Sequence, residues 1–125
     1  MELTTEQKDI VKAAREFAEK ELRDRAKEFD EKEEFDLSIC KRAAENGFIG
    51  AFIKEEYGGA GLGYLEHSLI TEEFWRVDPG SAQNFCSFSF GAEMLQTFGT
   101  EQQKRKYLPT IAGGDAIIGT AVTEP

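Results

Sequence analysis

The sequence holds one histidine, two cysteines and three prolines in 125 residues. Cys40 and Cys86 lie far apart, so with a lone histidine there is no metal-ligand spacing. Positive charge is also scarce: 15 Lys plus Arg stand against 24 Asp plus Glu, a formal net charge of −9. Nucleic-acid binding needs a basic face for the phosphates, so nucleic acid is excluded as the main partner. No apolar run approaches the ~20 residues that span a bilayer, and no membrane role is expected. The start, Met1-Glu2-Leu3-Thr4, has neither the basic cap nor the apolar stretch of a targeting peptide, which points to the cytoplasm. The residues present suffice for a core. With 40% hydrophobic and 31% charged residues, the chain has the balance of one folded domain.

Ile10, Ala14, Phe17, Ala18, Leu22, Ala26 and Phe29 recur at three- and four-residue steps, which predicts one long amphipathic helix. Thr4 followed by Gln7 opens it with a capping box. The charged stretch from Asp30 to Glu34 reads as a solvated helix end and linker. Asp36 caps a shorter helix that stops at Asn46-Gly47. The run Phe48-Ile49-Gly50-Ala51-Phe52-Ile53 is short and apolar, a buried connector. After a glycine-rich turn at residues 57–63, helix resumes through Leu65, Leu69 and Phe74 until Asp78-Pro79-Gly80 turns the chain.

Residues 81–98 predict the least polar helix, with Glu93 as its only charge, so it should sit among other helices. Thr100 and Gln103 form a second capping box, opening a charged helix that Pro109 and Gly113-Gly114 punctuate. Residues 116–122 are small and apolar and read as a strand. The expectation is an all-α domain of five or six helices over residues 1–115. Residues 116–125 would then open a β-domain, because a lone strand is unstable and no partner strand is in the sequence.

Isolated chemical signals are weak. The glycine cluster lacks G-x-G-x-x-G, since Tyr64 and Glu66 stand where a third glycine would be required, and no G-K-[ST] is present after it. It reads as a tight structural turn. His67 has no nucleophile in a recognisable arrangement, and no serine lies in a G-x-S-x-G setting, so His67 is assigned a structural or surface role. Both cysteines read as buried small apolar groups. Glu55-Glu56 and Glu72-Glu73 are adjacent pairs whose members point apart on a helix, better explained by a solvated face than by a shared acid–base site. Ala82, Cys86 and Phe90 fall on one stripe, grading from small to bulky, which fits either core packing or the wall of a tapering apolar pocket.

Four segments together resemble the N-terminal part of the acyl-CoA dehydrogenase family: Glu55-Glu56-Tyr57-Gly58-Gly59-Ala60-Gly61-Leu62-Gly63; Glu72-Glu73 with Arg76-Val77-Asp78; Gly99-Thr100-Glu101-Gln102-Gln103-Lys104-Arg105-Lys106-Tyr107-Leu108-Pro109; and Ala121-Val122-Thr123-Glu124-Pro125. Their order and spacing match the family's, and the resemblance covers the whole chain but about a third of a family subunit. It implies an enzyme that removes the α-proton of an acyl-CoA with a carboxylate while hydride passes to FAD, with an electron-transfer flavoprotein as acceptor and a homo-oligomeric assembly. It implies that Val122 and Thr123 touch the flavin, and that Ala82, Cys86 and Phe90 border the acyl chain. The family's catalytic carboxylate maps beyond Pro125, so no residue here is named as the base. Lys54, where many members carry proline, and Thr120, where an aromatic residue is common, depart from the pattern. Phe85, Phe88 and Phe90 suggest a shortened pocket for a short, branched or ring-bearing acyl group. Acyl-CoA oxidases and related flavin monooxygenases share the same domain, and a non-catalytic helical interaction module is the reading from a different class.

Overall fold

The computed structural model describes residues 2–119, except for the side chains of residues 86–88. These residues form seven helices: α1 (Thr5–Glu21), α2 (Ala26–Lys32), α3 (Ser38–Glu45), α4 (Tyr64–Val77), α5 (Pro79–Ser89), α6 (Ala92–Phe98) and α7 (Glu101–Ala112). A single 3-10 turn, Glu55–Tyr57, separates α3 from α4. No strand forms among the described residues, and the all-α expectation holds. Residues 116–119 enter no helix or strand, and the remainder of the expected strand lies outside the described residues.

Both capping boxes form. Thr4 accepts the Gln7 backbone N–H while Gln7 Oε1 accepts that of Thr4, and Thr100 and Gln103 repeat the exchange. Each box satisfies two of the N–H groups that a helix start leaves unpaired. Asp36 sits one residue before the start of α3's cap, its Oδ1 accepting the Ser38 N–H at 2.9 Å. That acceptance, with Arg25 alongside, holds the Asp36 carboxyl down at about 2. Asp78 serves α5 in the same way, accepting the Ser81 N–H at 3.0 Å, with Pro79 in the first turn where its missing N–H costs nothing.

The helix count exceeds the expected five or six because two predicted helices break. The segment through Phe29 ends at Glu21, turns through residues 22–25 and restarts as α2. No glycine or proline marks that break; packing does. Leu22 is wholly buried at the bend, and beyond it Phe29 meets Phe35 at 5.2 Å while Arg25 reaches Asp36 at 3.0 Å. The segment 81–98 starts earlier, at Pro79, and breaks at Gly91, whose φ of 91° is left-handed. Pro109 lies inside α7 rather than ending it; the helix gives up one backbone hydrogen bond there and closes three residues later.

The core forms two clusters. The first gathers Ala14, Ala18, Leu22, Ile39, Cys40, Ala43, Ile70, Phe74, Ala82 and Phe85 with Phe48, Ile49 and Ala51 of the connector. Phe17 stands edge-on to Phe48 at 5.4 Å and stacks with Phe74 at 5.7 Å, and Phe74 meets Phe85 at 4.9 Å. Such ring pairs add to what area burial alone gives. The second cluster gathers Phe52, Ile53, Tyr57, Ala92, Leu108, Ile111 and Ala112. The connector 48–53 is buried, as its composition predicts.

Candidate functional site

The glycine turn is a structural turn. Gly58 and Gly61 take left-handed φ of 84° and 66°, and a Cβ on Gly59 would stand 2.1 Å from the Ile53 carbonyl oxygen. The Gly61 N–H donates to that same oxygen at 2.8 Å, and the Leu62 N–H donates to Ala51 O at 2.9 Å. The loop is thus closed on its own backbone, with no concavity of free N–H groups facing a phosphate. Gly58 packs over Pro109 of α7, while Tyr57, buried, donates its hydroxyl to Glu101 at 3.0 Å.

Of the sequence-predicted pocket residues, the structure places two and does not bring them into one wall. Ala82 is wholly buried in the first cluster. Phe90 lies just past α5 at the break before Gly91 and is 55% exposed. The Cys86 side chain, Val122 and Thr123 lie outside the described residues. Beyond the break, Met94 and Phe98 are exposed one turn apart on α6. The left-handed Gly91 comes after all three residues of the predicted stripe and separates them from Met94 and Phe98 on α6.

His67 faces inward from α4, its ring edge-on to Phe52 at 5.1 Å. Its Nδ1 is shut off from solvent without a hydrogen-bond partner. Burial pushes its pKa down, opposed by the Glu93 carboxylate, so the imidazole is held neutral. Cys40 is wholly buried, and burial pushes its thiol up to about 12, with the Asp36 charge adding to the effect. This is a packing cysteine, as expected, and not a nucleophile.

Glu73 corrects the expectation of a solvated carboxylate pair. It is 6% exposed and accepts from Arg15 at both oxygens, with Arg76 at 3.8 Å. The hydrogen bonds from Arg15 lower its pKa. Adjacent carboxylates do point apart, and Glu72 takes the exposed side while Glu73 turns into the α1–α4 contact. The sequence signal was present as Arg15 on the facing helix, but nothing local pairs residues 58 positions apart.

Two open grooves flank the core. One, about 610 Å³, has Ile10, Phe48, Leu62 and Ile70 on its walls with Glu6 and Asp9 of α1. The other, about 580 Å³, lies between α2 and α5 and carries Asp30, Glu33, Glu34 and Asp78 beside Phe29 and Phe35. Neither contains Ala82 or Phe90. Among the described residues no three His, Cys, Asp or Glu side chains could hold a metal ion, and no helix is long and apolar enough to cross a membrane.

Residues 4–115 match the family model described as acyl-CoA dehydrogenase, N-terminal domain. The chain is 39% identical over 125 residues to a 3-(aryl)acrylate reductase of Clostridium sporogenes, covering 97% of this chain and 33% of that protein. It is 36% identical over 124 residues to a short-chain-specific acyl-CoA dehydrogenase of Clostridium acetobutylicum, covering 98% and 33%. Among solved structures, an acyl-CoA dehydrogenase of Bacillus anthracis complexed with FAD superposes with a TM-score of 0.87 at 36% identity, covering 99% of this chain and 21% of that one. The chain therefore spans a third or less of the length of these relatives.

Proposed function

Since this chain belongs to the acyl-CoA dehydrogenase family, matching its N-terminal domain, we propose that it is the acyl-wall portion of an FAD-dependent enzyme that dehydrogenates an acyl-CoA thioester between its α and β carbons. The observation that carries this reading is the family match over residues 4–115. The exposed apolar side chains on either side of the Gly91 break, Phe90 before it and Met94 and Phe98 after it, support it: such groups have their use in covering an apolar ligand and excluding water from it. Ala82, Cys86 and Phe90 are assigned to border the acyl chain, as the family likeness implies.

The glycine turn itself does not fit the FAD diphosphate, because it is closed on the Ile53 and Ala51 carbonyls. Flavin contact is assigned to Val122 and Thr123, and no residue of this chain is assigned as base. The proposed setting is the cytoplasm, as a homo-oligomer that passes electrons to an electron-transfer flavoprotein. A short, branched or ring-bearing acyl group is proposed from the dense phenylalanine content at Phe85, Phe88 and Phe90.

A second reading is favoured by the relative named for 3-(aryl)acrylate reduction: the same site run in reverse, saturating an α,β double bond. Anaerobic visible spectroscopy of the whole flavin-bound protein separates the two. Bleaching of the flavin band by one saturated acyl-CoA is the expected result. Reoxidation of the pre-reduced protein by an unsaturated acyl compound, without bleaching by any saturated one, would assign the reverse reaction. A colourless protein that takes up no FAD would sink both and promote the helical interaction module.

A further inference from the structure

We infer that Lys41 is a latch that sets the direction in which the chain leaves the helical domain. Lys41 projects from α3 and donates to Gly113 O at 2.9 Å and to Asp115 Oδ1 at 2.5 Å. Its ammonium therefore bridges the residue that closes α7 and the first charged side chain after it. A separate observation fixes the same turn to the same helix. Gly114, with φ of 68°, lies so close that an added Cβ would stand 3.0 Å from Ala44 Cβ and 3.1 Å from Cys40 O. The backbone bonds Gly114 N–H to Ile111 O and Asp115 N–H to Thr110 O, each 3.0 Å, complete the turn.

The latch ties α3, whose buried face belongs to the first cluster, to α7, whose buried face belongs to the second. Past it, Ile118 packs against the second cluster. Residues 113–118 thus run from a fixed point on α3 to a fixed point on the other cluster. Lys41 and Asp115 are half exposed, so salt screens the ionic part of the latch while the Gly114 contact remains. The inference holds whatever reaction the whole protein performs.

Hydrogen exchange read by mass spectrometry on the whole protein tests it, comparing wild type, Lys41→Met and Lys41→Arg with melting midpoints on the same samples. Lys41→Met is expected to speed exchange in peptides covering residues 113–119 by about five-fold, leaving α1 and α4 unchanged, as loss of one partly exposed ion pair implies. Lys41→Arg is expected to restore protection, and 1 M salt to mimic Lys41→Met. Unchanged exchange over 113–119 in Lys41→Met overturns the latch. So does faster exchange spread evenly over all helices with a matching fall in melting midpoint, which would make Lys41 a general stabiliser.

Discussion

The Arg15 guanidinium on α1 clasps both carboxylate oxygens of Glu73 on α4, at 2.7 and 2.8 Å, across the most extensive helix contact among the described residues. Arg15 is 45% exposed and Glu73 nearly sealed, so the two ends of the pair are unequal. Removing Arg15 leaves the buried carboxylate without its hydrogen-bond donors and with only Arg76 at 3.8 Å as a cation, whereas removing Glu73 leaves a cation that water can reach. Arg15→Ala is therefore expected to destabilise the fold more than Glu73→Ala, read from urea unfolding midpoints. The reverse order would mean that Glu73 is solvated in the folded chain.

The same pair predicts an acid limb. Its folded pKa is lowered, so Glu73 contributes stability above the unfolded carboxylate value, and that contribution fades as pH falls through the folded value. Glu73→Gln should flatten the stability profile below about pH 4.5.

His67 acts in a separate window. Burial lowers its folded pKa, so the unfolded chain binds its proton first and stability is lost as pH falls below about 6.5 towards the folded value. Unfolding midpoints measured from about pH 7.5 to about pH 5 should decline in the wild type and decline less in His67→Leu. Equal slopes in the two proteins would show that the imidazole finds a partner when it is charged.

Glycine substitutions in the turn should rank by geometry. Gly59→Ala meets the Ile53 backbone oxygen at 2.1 Å, and neither side is a flexible side chain. A loss of about 3 kcal/mol or more is expected, against about 1 for Gly58→Ala, which is strained by its φ of 84° but has space. Thermal melts of both variants check the order.

Cys40 should resist thiol reagents. With its thiol pushed up to about 12 and its side chain wholly buried, labelling at about pH 8 is expected only on the unfolding timescale, and to accelerate in urea. Peptide mapping after timed alkylation reads this residue alone. Fast labelling in native buffer would contradict the packing of α3.

The parts of the fold legible in sequence were those written in local chemistry. Thr4 with Gln7, Thr100 with Gln103, Asn46-Gly47 and the apolar run 48–53 each state their structure within a few residues. The bend at Leu22 was not legible, because periodicity continues through it and only the packing of Phe29 against Phe35 demands it. Gly91 was visible but ambiguous, since an interior glycine costs a helix only ~1 kcal/mol and does not by itself break one. That ambiguity reached the neighbourhood of the candidate site: Met94 and Phe98 lie on a separate helix from Ala82 because the chain breaks at Gly91. Glu73 was missed because its partner is distant in sequence and near only in the fold.

The connector 48–53 gives the two core clusters a common spine. Ala51 belongs to the first cluster and Phe52 to the second, and a single peptide bond joins them. Neither cluster can melt without pulling on a residue that is sealed inside the other. The domain is therefore one cooperative unit despite its divided core, and calorimetry should record one sharp transition rather than two.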